Sequence, residues 1–171
     1  PPRQMRRLDR ASQCALLAAR KAWEQAEAPQ VAPQRLAVSV SPGMGPVLSV
    51  MEAWDTLSDK GPRRVLPTAV PALMPNAPAA AVGIELGAHG GVHAPVSACA
   101  SGAEAIAYGA DLIALGRADV VVAGGTDSAL HPMTVAAFGA MRALSTRNTD
   151  PRTASRPFAP DRDGFVLGEG A

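Results

Sequence analysis

The sequence has few aromatic residues, and this shortage restricts how its core can be built. Aromatic residues make up 4% of the 171 positions, whereas hydrophobic residues as a whole make up 47%. We therefore expect a core of Ala, Val and Leu, whose small side chains let helices pack closely against a sheet. Charged residues, at 18%, are too few and hydrophobic residues too many for a disordered chain.

The chain also lacks an excess of charge, a long apolar run and a leader-like start. A net charge of +1 argues against a nucleic-acid binder, because phosphate contacts need clustered positive charge. The apolar runs are too short to cross a bilayer, and no charged segment precedes an apolar one as in a secretory signal. The two cysteines, Cys14 and Cys99, form no spacing motif. We expect a reduced cytoplasmic setting, with neither nucleic acid nor a membrane as partner.

Helix and strand patterns alternate along the chain, which predicts an α/β fold with buried sheets. Apolar residues at helical spacing predict helices over residues 8–27, 47–59, 76–86, 101–116 and 132–141. Continuous apolar runs predict strands over residues 35–40, 92–97 and 119–123. The proline-rich segment 61–75 is predicted to hold no regular element, and residues 145–163 are predicted to form a polar loop.

Short polar and small residues predict where these elements begin and end. Asp9 or Ser12 is expected to cap the first helix, and Asn76 the third. The run 119–123 is rich in β-branched residues, which predicts a strand buried on both faces and ended by Gly124 and Gly125.

The segment around Cys99, VSACASG, carries the clearest chemical signal. A predicted strand ends there, the chain turns through small residues, and a helix begins. The N-terminus of that helix would favour the thiolate form of the sulfur, and a backbone N–H at such a turn can stabilise an oxyanion. This arrangement suits acyl transfer to the sulfur. From the residues alone, an ordinary buried cysteine is an equally good interpretation of Cys99, and the better one for Cys14, which lies in mid-helix.

Three stretches, in this order, carry a resemblance that covers nearly the whole chain. They are VSACASGAEAIAYGADLIALGRADVVVAGGTDS, FGAMRALSTRN and RPFAPDRDGFVLGEGA. Together they resemble the β-ketoacyl-[acyl carrier protein] synthases of the elongating, type II kind. The resemblance implies a thiolase-like αβαβα layered fold. It also implies decarboxylative condensation of an acyl-enzyme thioester with a malonyl-carrier thioester, in fatty acid elongation, with Cys99 as the nucleophile.

The same resemblance suggests residues that line an acyl pocket and residues that bind a carrier protein. The pocket residues are Met44, as a gate, and Ala69, Phe138 and Phe165. Ala69 stands where similar enzymes often have a larger side chain contributed across the dimer, so a small residue there would leave room for a longer acyl chain. The basic residues that match carrier-protein contacts are Arg6, Arg7, Arg63, Arg64 and Arg142.

The resemblance also sets expectations about cofactors and assembly. No metal or redox cofactor is expected, since the substrates arrive on the phosphopantetheine of an acyl carrier protein. The intact enzyme is expected to be a homodimer. His89, His93 and His131 lie outside the histidine motifs of the family, and Asp161 and Asp163 suggest an ion-pair turn rather than a metal site. We expect residues 1–171 to form the N-terminal half, without the first strand and the C-terminal half, and to be inactive alone.

Three related functions stay open at this stage. A polyketide ketosynthase would use the same chemistry on a different substrate. A degradative thiolase would share the reactive cysteine and act on CoA thioesters. A chain-length-factor-like partner would be non-catalytic, and the presence of Cys99 argues against it because such partners usually replace that residue.

Overall fold

The computed structural model describes residues 8–171, which form helices on both faces of a small parallel sheet. The helices are α1 (Arg10–Gln25), α2 (Val47–Lys60), α3 (Ala69–Leu73), α4 (Ala77–Leu86), α5 (Ser101–Ala114) and α6 (Pro132–Ala140). The strands are β1 (Leu36–Ser41), β2 (Val92–His93), β3 (Val120–Gly125), β4 (Asp127–Ser128) and β5 (Glu169–Gly170). The predicted α/β fold is confirmed.

The central strand of the sheet is β1, which pairs in parallel with β2 on one side and with β3 on the other. The pairing with β3 runs over the whole length of both strands, from Leu36 opposite Val120 to Ser41 opposite Gly125. A second, antiparallel pair joins β4 to β5. Because parallel strands share one direction, β1 and β3 end side by side, and the site described below lies beyond those ends.

Small aliphatic side chains form the core on both faces of β1, as the composition predicts. Val38 and Val40 pack on one face against alanines of α1 and against Ala79 and Val82 of α4. Ala37 packs on the other face against Leu112 of α5. These side chains are short, so the helices approach the sheet closely.

Strand β3 differs from its prediction. It continues through Gly124 and Gly125 rather than ending before them, and it is not buried on both faces. Val120, Val121 and Val122 are half-buried, and Ala123 is exposed. The physical reason is its place at the edge of the sheet, whereas all six residues of the central strand are buried.

Two other predicted elements are corrected by the effect of proline. The strand predicted over residues 92–97 is limited to β2, since Pro95 has no N–H to continue the ladder. The segment 61–75 does hold regular structure, namely a 3-10 turn, Pro62–Arg64, and the short helix α3. Pro62 and Pro71 are tolerated because each lies in a first turn, where backbone N–H groups have no partner inside the helix.

The helix caps agree with the predictions in part. Asp9 caps α1, since its Oδ1 accepts a hydrogen bond of 2.9 Å from the N–H of Ala11. Its Oδ2 also accepts a hydrogen bond from Ser49 of α2, so the cap joins two helices. Asn76 precedes α4 but makes no capping hydrogen bond through its side chain.

Candidate active site

Cys99 lies on a strained turn between the sheet and helix α5. It is the middle residue of a 3-10 turn, Ala98–Ala100, that leads directly into α5, and it is exposed. Ala98 has a φ of 52°, a value that residues with a side chain rarely adopt. Strained backbone of this kind is found most often at functional sites. The sharp turn predicted around Cys99 is therefore present.

The hydroxyl of Ser101 holds this turn closed. Ser101 Oγ accepts a hydrogen bond of 2.9 Å from the N–H of Ser97 and donates one of 2.6 Å to the carbonyl of Ala98. Ser101 is buried at the start of α5, with 1% of its surface exposed. Both bonds span Cys99 in the sequence, so this hydroxyl holds together the backbone before and after that residue.

Two glycines bring the start of α5 against the end of β3. A Cβ atom placed on Gly125 would lie 2.8 Å from the Cα of Gly102, and one placed on Gly102 would lie 3.3 Å from the Cα of Gly125. Neither distance leaves room for a methyl group without a shift of the backbone. The pair therefore sets how closely the helix that follows Cys99 approaches the sheet.

The loop that contains Met44 lies on the other side of the same turn. A Cβ atom on Gly43 would lie 3.0 Å from the carbonyl oxygen of Ala98, so the loop and the Cys99 turn are in contact. The carboxylate of Asp127 accepts hydrogen bonds from the N–H groups of Gly43, at 2.8 Å, and Met44, at 3.1 Å. The Met44 side chain is 45% exposed.

Phe138 and Phe165 contact each other, although they are distant in sequence. Their ring centroids lie 5.1 Å apart in an edge-to-face arrangement. The backbone of Phe165 is fixed by two hydrogen bonds of 3.0 Å, one to the carbonyl of Ala143 and one from the N–H of Ser145. Gly164, at a φ of 152°, allows this close approach, because a Cβ there would lie 2.4 Å from the backbone of Leu144. The two aromatic residues that are predicted to line the acyl pocket are thus brought together.

A carboxylate next to Phe165 secures the same loop. Asp163 accepts hydrogen bonds from Ser145 Oγ at 2.6 Å and from the N–H and Oγ1 of Thr146 at 2.9 and 3.1 Å, and it pairs with Arg156 at 3.2 Å. These contacts, the Ser145 hydroxyl first, hold the pKa of Asp163 well below its usual range. Arg156 also pairs with Asp161. The predicted ion-pair turn is confirmed.

Ala69 lines a different cavity from the other residues predicted for the acyl pocket. It lines a cavity of about 130 Å³ between α2 and α3, together with Leu8, Ala53, Val65 and Ala72. Neither Cys99 nor Met44, Phe138 or Phe165 lines this cavity.

The predicted carrier-protein contacts that the structure describes are all exposed. Arg63 and Arg64 are exposed in the 3-10 turn after α2, and Arg142 is exposed just after α6. Arg6 and Arg7 lie outside the described residues. Each of the three described arginines is available to an acidic partner.

Two histidines, His93 and His131, make contacts that stabilise the fold. His131 caps α6, since its Nδ1 accepts a hydrogen bond of 3.1 Å from the N–H of Met133. His93 packs edge-to-face against Tyr108 with ring centroids 4.9 Å apart.

Within residues 8–171, no cluster of three or more His, Cys, Asp or Glu side chains is placed to hold a metal ion. No helix in this part of the chain is long and apolar enough to cross a membrane.

Ser101 and Asp127 support the candidate site and were not predicted from the sequence. Ser101 stands two residues after Cys99, where a small polar residue at a helix start is a signal of local backbone hydrogen bonding. Asp127 follows the end of β3, the edge of a parallel sheet where functional side chains gather. The spacing of 84 residues between Gly43 and Asp127 left their contact invisible in the sequence.

A thiolase-like α/β fold with a cysteine on the turn before a helix defines the class of protein, and comparisons with known proteins agree. The family described as "Beta-ketoacyl synthase, N-terminal domain" matches residues 1–171. The chain belongs to this family.

Two named relatives show which members of the family the chain is similar to. The chain is 44% identical over 168 residues to the 3-oxoacyl-[acyl-carrier-protein] synthase 2 of Mycobacterium tuberculosis, covering 98% of this chain and 40% of that protein. It is 43% identical over 171 residues to the enzyme of the same name from Staphylococcus aureus, covering 99% of this chain and 42% of that protein. The chain thus spans about 40% of the length of these relatives.

Solved structures show the same fold. A β-ketoacyl synthase from Burkholderia phymatum superposes with a TM-score of 0.85 at 32% identity, covering 99% of this chain and 42% of that one. A type II PKS ketosynthase, solved in complex with its acyl-carrier protein and bound to the hexaketide, gives a TM-score of 0.87 at 27% identity, covering 94% and 41%.

Proposed function

We propose that this chain supplies the nucleophile of an elongating β-ketoacyl-[acyl carrier protein] synthase that acts in fatty acid synthesis. The observation that carries the proposal is the exposed Cys99 on a strained turn at the start of α5. The names of the curated relatives supply the substrate class. The remaining catalytic groups would come from the part of the enzyme that these relatives have beyond the matched region.

The proposed reaction begins with transfer of an acyl chain. The Cys99 thiolate attacks the carbonyl of an acyl-carrier thioester, the bond from that carbonyl to the carrier sulfur breaks, and the carrier leaves as its thiolate, which takes up a proton from water. A malonyl-carrier thioester then loses carbon dioxide, and the electron pair of the broken bond forms a carbanion. The carbanion attacks the acyl-Cys99 carbonyl and expels the thiolate, which yields the β-ketoacyl carrier. No metal or redox cofactor is proposed, since the carrier's phosphopantetheine holds both substrates.

Trapping of the acyl-enzyme tests this proposal. The full-length protein is incubated with a saturated acyl carrier and no malonyl substrate, and intact-protein and peptide mass spectrometry locate the added acyl group. We expect it on Cys99 in the wild type and in Cys14→Ala, and nowhere in Cys99→Ala. Cys14 is a matched control because it is half-buried in α1. Absence of acylation in the wild type, or its persistence in Cys99→Ala, would contradict the proposal.

A polyketide ketosynthase is the second candidate, because one structural neighbour is such an enzyme bound to a hexaketide. The two candidates differ in the acyl group that is extended. Competition between a saturated acyl carrier and a β-ketoacyl carrier in the same assay distinguishes them. We expect the saturated chain to be preferred.

We also propose a homodimer in the cytoplasm. Apolar side chains are exposed along the free edge of the sheet at Val92 and Val96 and on α5 at Ile106 and Ile113. A second copy of the chain would cover them and pair the outer strand. Two free cysteines fit a reducing compartment. Light scattering on full-length Ile106→Glu should show a monomer, and a dimer equal to the wild type would argue against this surface.

A further inference from the structure

Asp127 holds the loop of Gly43 and Met44, which lies against the Cys99 turn. Its Oδ2 accepts a hydrogen bond of 2.8 Å from the N–H of Gly43, and its Oδ1 accepts one of 3.1 Å from the N–H of Met44. Each carboxylate oxygen therefore serves a different residue of the same loop. A charged acceptor makes such bonds stronger than a neutral one.

The same loop also lies against the turn that carries Cys99. A Cβ atom on Gly43 would lie 2.6 Å from Asp127 Oδ2 and 3.0 Å from the carbonyl oxygen of Ala98. The backbone of Gly43 is thus close to both the carboxylate and the residue that precedes Cys99. A displacement of the carboxylate would move Met44 relative to the sulfur, because Met44 is the next residue along the loop.

The backbone of Asp127 is itself held in place. It belongs to β4, which pairs with β5 in antiparallel register, Asp127 opposite Gly170 and Ser128 opposite Glu169. Ser128 Oγ donates a hydrogen bond of 2.9 Å to the Glu169 carboxylate, which also pairs with Arg10 of α1. The carboxylate of Asp127 is therefore presented to the loop from a fixed support.

We propose that Asp127 is a positioning residue that sets acyl-chain selectivity by holding the backbone of Met44 beside Cys99. This inference rests on the proposed function and on the expectation, taken from the family resemblance, that Met44 is the gate to the acyl pocket. Asp127 touches neither substrate nor sulfur and acts through the loop. Without it the loop is released, Met44 blocks long chains less well, and discrimination between chain lengths falls.

The variants follow from the two hydrogen bonds. Asp127→Asn keeps one acceptor and turns an NH₂ group towards a backbone N–H, so it loses one of the bonds with little change of shape. Met44→Ala removes the side chain that the loop positions. The matched control is Asp119→Asn, at the opposite end of β3, where the carboxylate pairs with Arg35 on the surface.

Two measurements on the full-length protein test the inference. The first is amide hydrogen exchange, in which Asp127→Asn should speed exchange at Gly43 and Met44 by about tenfold and leave the helices unchanged. The second is the ratio of the rates at which palmitoyl and butyryl carriers acylate Cys99. This ratio should rise about threefold in Asp127→Asn and in Met44→Ala, and the double variant should add little, because contacting sites are not additive.

The outcomes separate this inference from the proposed function. Lack of acylation of the wild type by either carrier overturns the proposed function. Acylation of the wild type with an unchanged ratio in Asp127→Asn overturns the role of Asp127 alone, as does an equal change in Asp119→Asn. A purely structural role would slow both carriers equally and leave the ratio unmoved. If Asp127→Asn does not fold, Gly43→Ala is used instead, because a Cβ there displaces the same loop. An unchanged ratio of palmitoyl to butyryl acylation rates in Gly43→Ala would then overturn the inference.

Discussion

Gly125 at the end of β3 and Gly102 at the start of α5 are in such close contact that a Cβ on Gly125 would lie 2.8 Å from the Cα of Gly102. Gly102 is the third residue after Cys99. The position of the proposed nucleophile therefore depends on the absence of two side chains from different elements.

Replacement of Gly125 by Ala tests this contact. We expect a destabilisation of about 1–3 kcal/mol, the usual result of overpacking, together with slower modification of Cys99 by iodoacetamide. Thermal unfolding and alkylation kinetics measure the two effects. Gly124→Ala is the matched control, since a Cβ on Gly124 meets no atom within 4 Å. Equal behaviour of the two variants would show that the close approach is unimportant.

Replacement of Ser101 by Ala should loosen the turn around Cys99. The change leaves the N–H of Ser97 and the carbonyl of Ala98 without their partner, and we expect a loss of stability of about 1–3 kcal/mol. Acylation of Cys99 should slow, and Ser101→Thr, which keeps the hydroxyl, should restore part of the rate. Ser58→Ala, exposed on α2, serves as control. If Cys99 is acylated no faster in Ser101→Thr than in Ser101→Ala, loss of the hydroxyl is not the cause of the slower acylation.

The carboxylate of Asp163 should make stability depend on pH in the acid range. Its pKa in the folded chain is depressed, chiefly by the hydroxyl of Ser145, from a usual value of 3.8. The stabilisation is thus present above pH 3.8 and is lost as the pH falls towards the folded pKa.

Melting temperatures of the wild type and Asp163→Asn, measured from neutral to acid pH, test this dependence. The wild type should melt higher by a constant margin near neutrality, and the margin should narrow below about pH 4. Asp55→Asn, exposed on α2, is the control. A margin that is unchanged in acid would contradict the assignment.

The pair Arg63 and Arg64 should guide an acidic carrier protein to the enzyme. Reversal of both charges to Glu should slow association about tenfold at low salt, with a smaller effect at high salt, because salt screens surface charges. Stopped-flow binding of the carrier measures this. Arg117→Glu combined with Arg152→Glu makes the same change in net charge elsewhere on the surface. Unchanged association at low salt would refute the role of the pair.

Enlargement of Ala69 should shift the preference of the full-length enzyme to shorter acyl chains. By the family resemblance, Ala69 would reach the end of the acyl pocket across the dimer, so a Phe side chain there would leave less room for a long chain. The rates with butyryl and palmitoyl carriers give the preference, and Ala136→Phe, exposed on α6, is the control. Absence of a shift would count against Ala69 as a pocket residue.

The sequence by itself determined the features that depend on neighbouring residues. Helical spacing predicted α1, α2, α5 and α6, the scarcity of aromatic side chains predicted an aliphatic core, and small residues around Cys99 predicted the sharp turn. Local preferences suffice for such features because they act over a few residues. Around Pro95 the apolar run favours a strand and the proline disfavours one, and the predicted strand is longer than the observed β2.

Only the tertiary structure decided which distant residues meet. Pairing with β1 made β3 an edge strand, although its sequence is typical of a buried one. Packing of α5 on the sheet brought Gly102 into contact with Gly125. Because the parallel strands β1 and β3 end side by side, Asp127, which follows β3, lies within hydrogen-bond distance of the Gly43 loop, which follows β1. These contacts depend on how the layers stack, and no spacing within a single segment encodes that stacking.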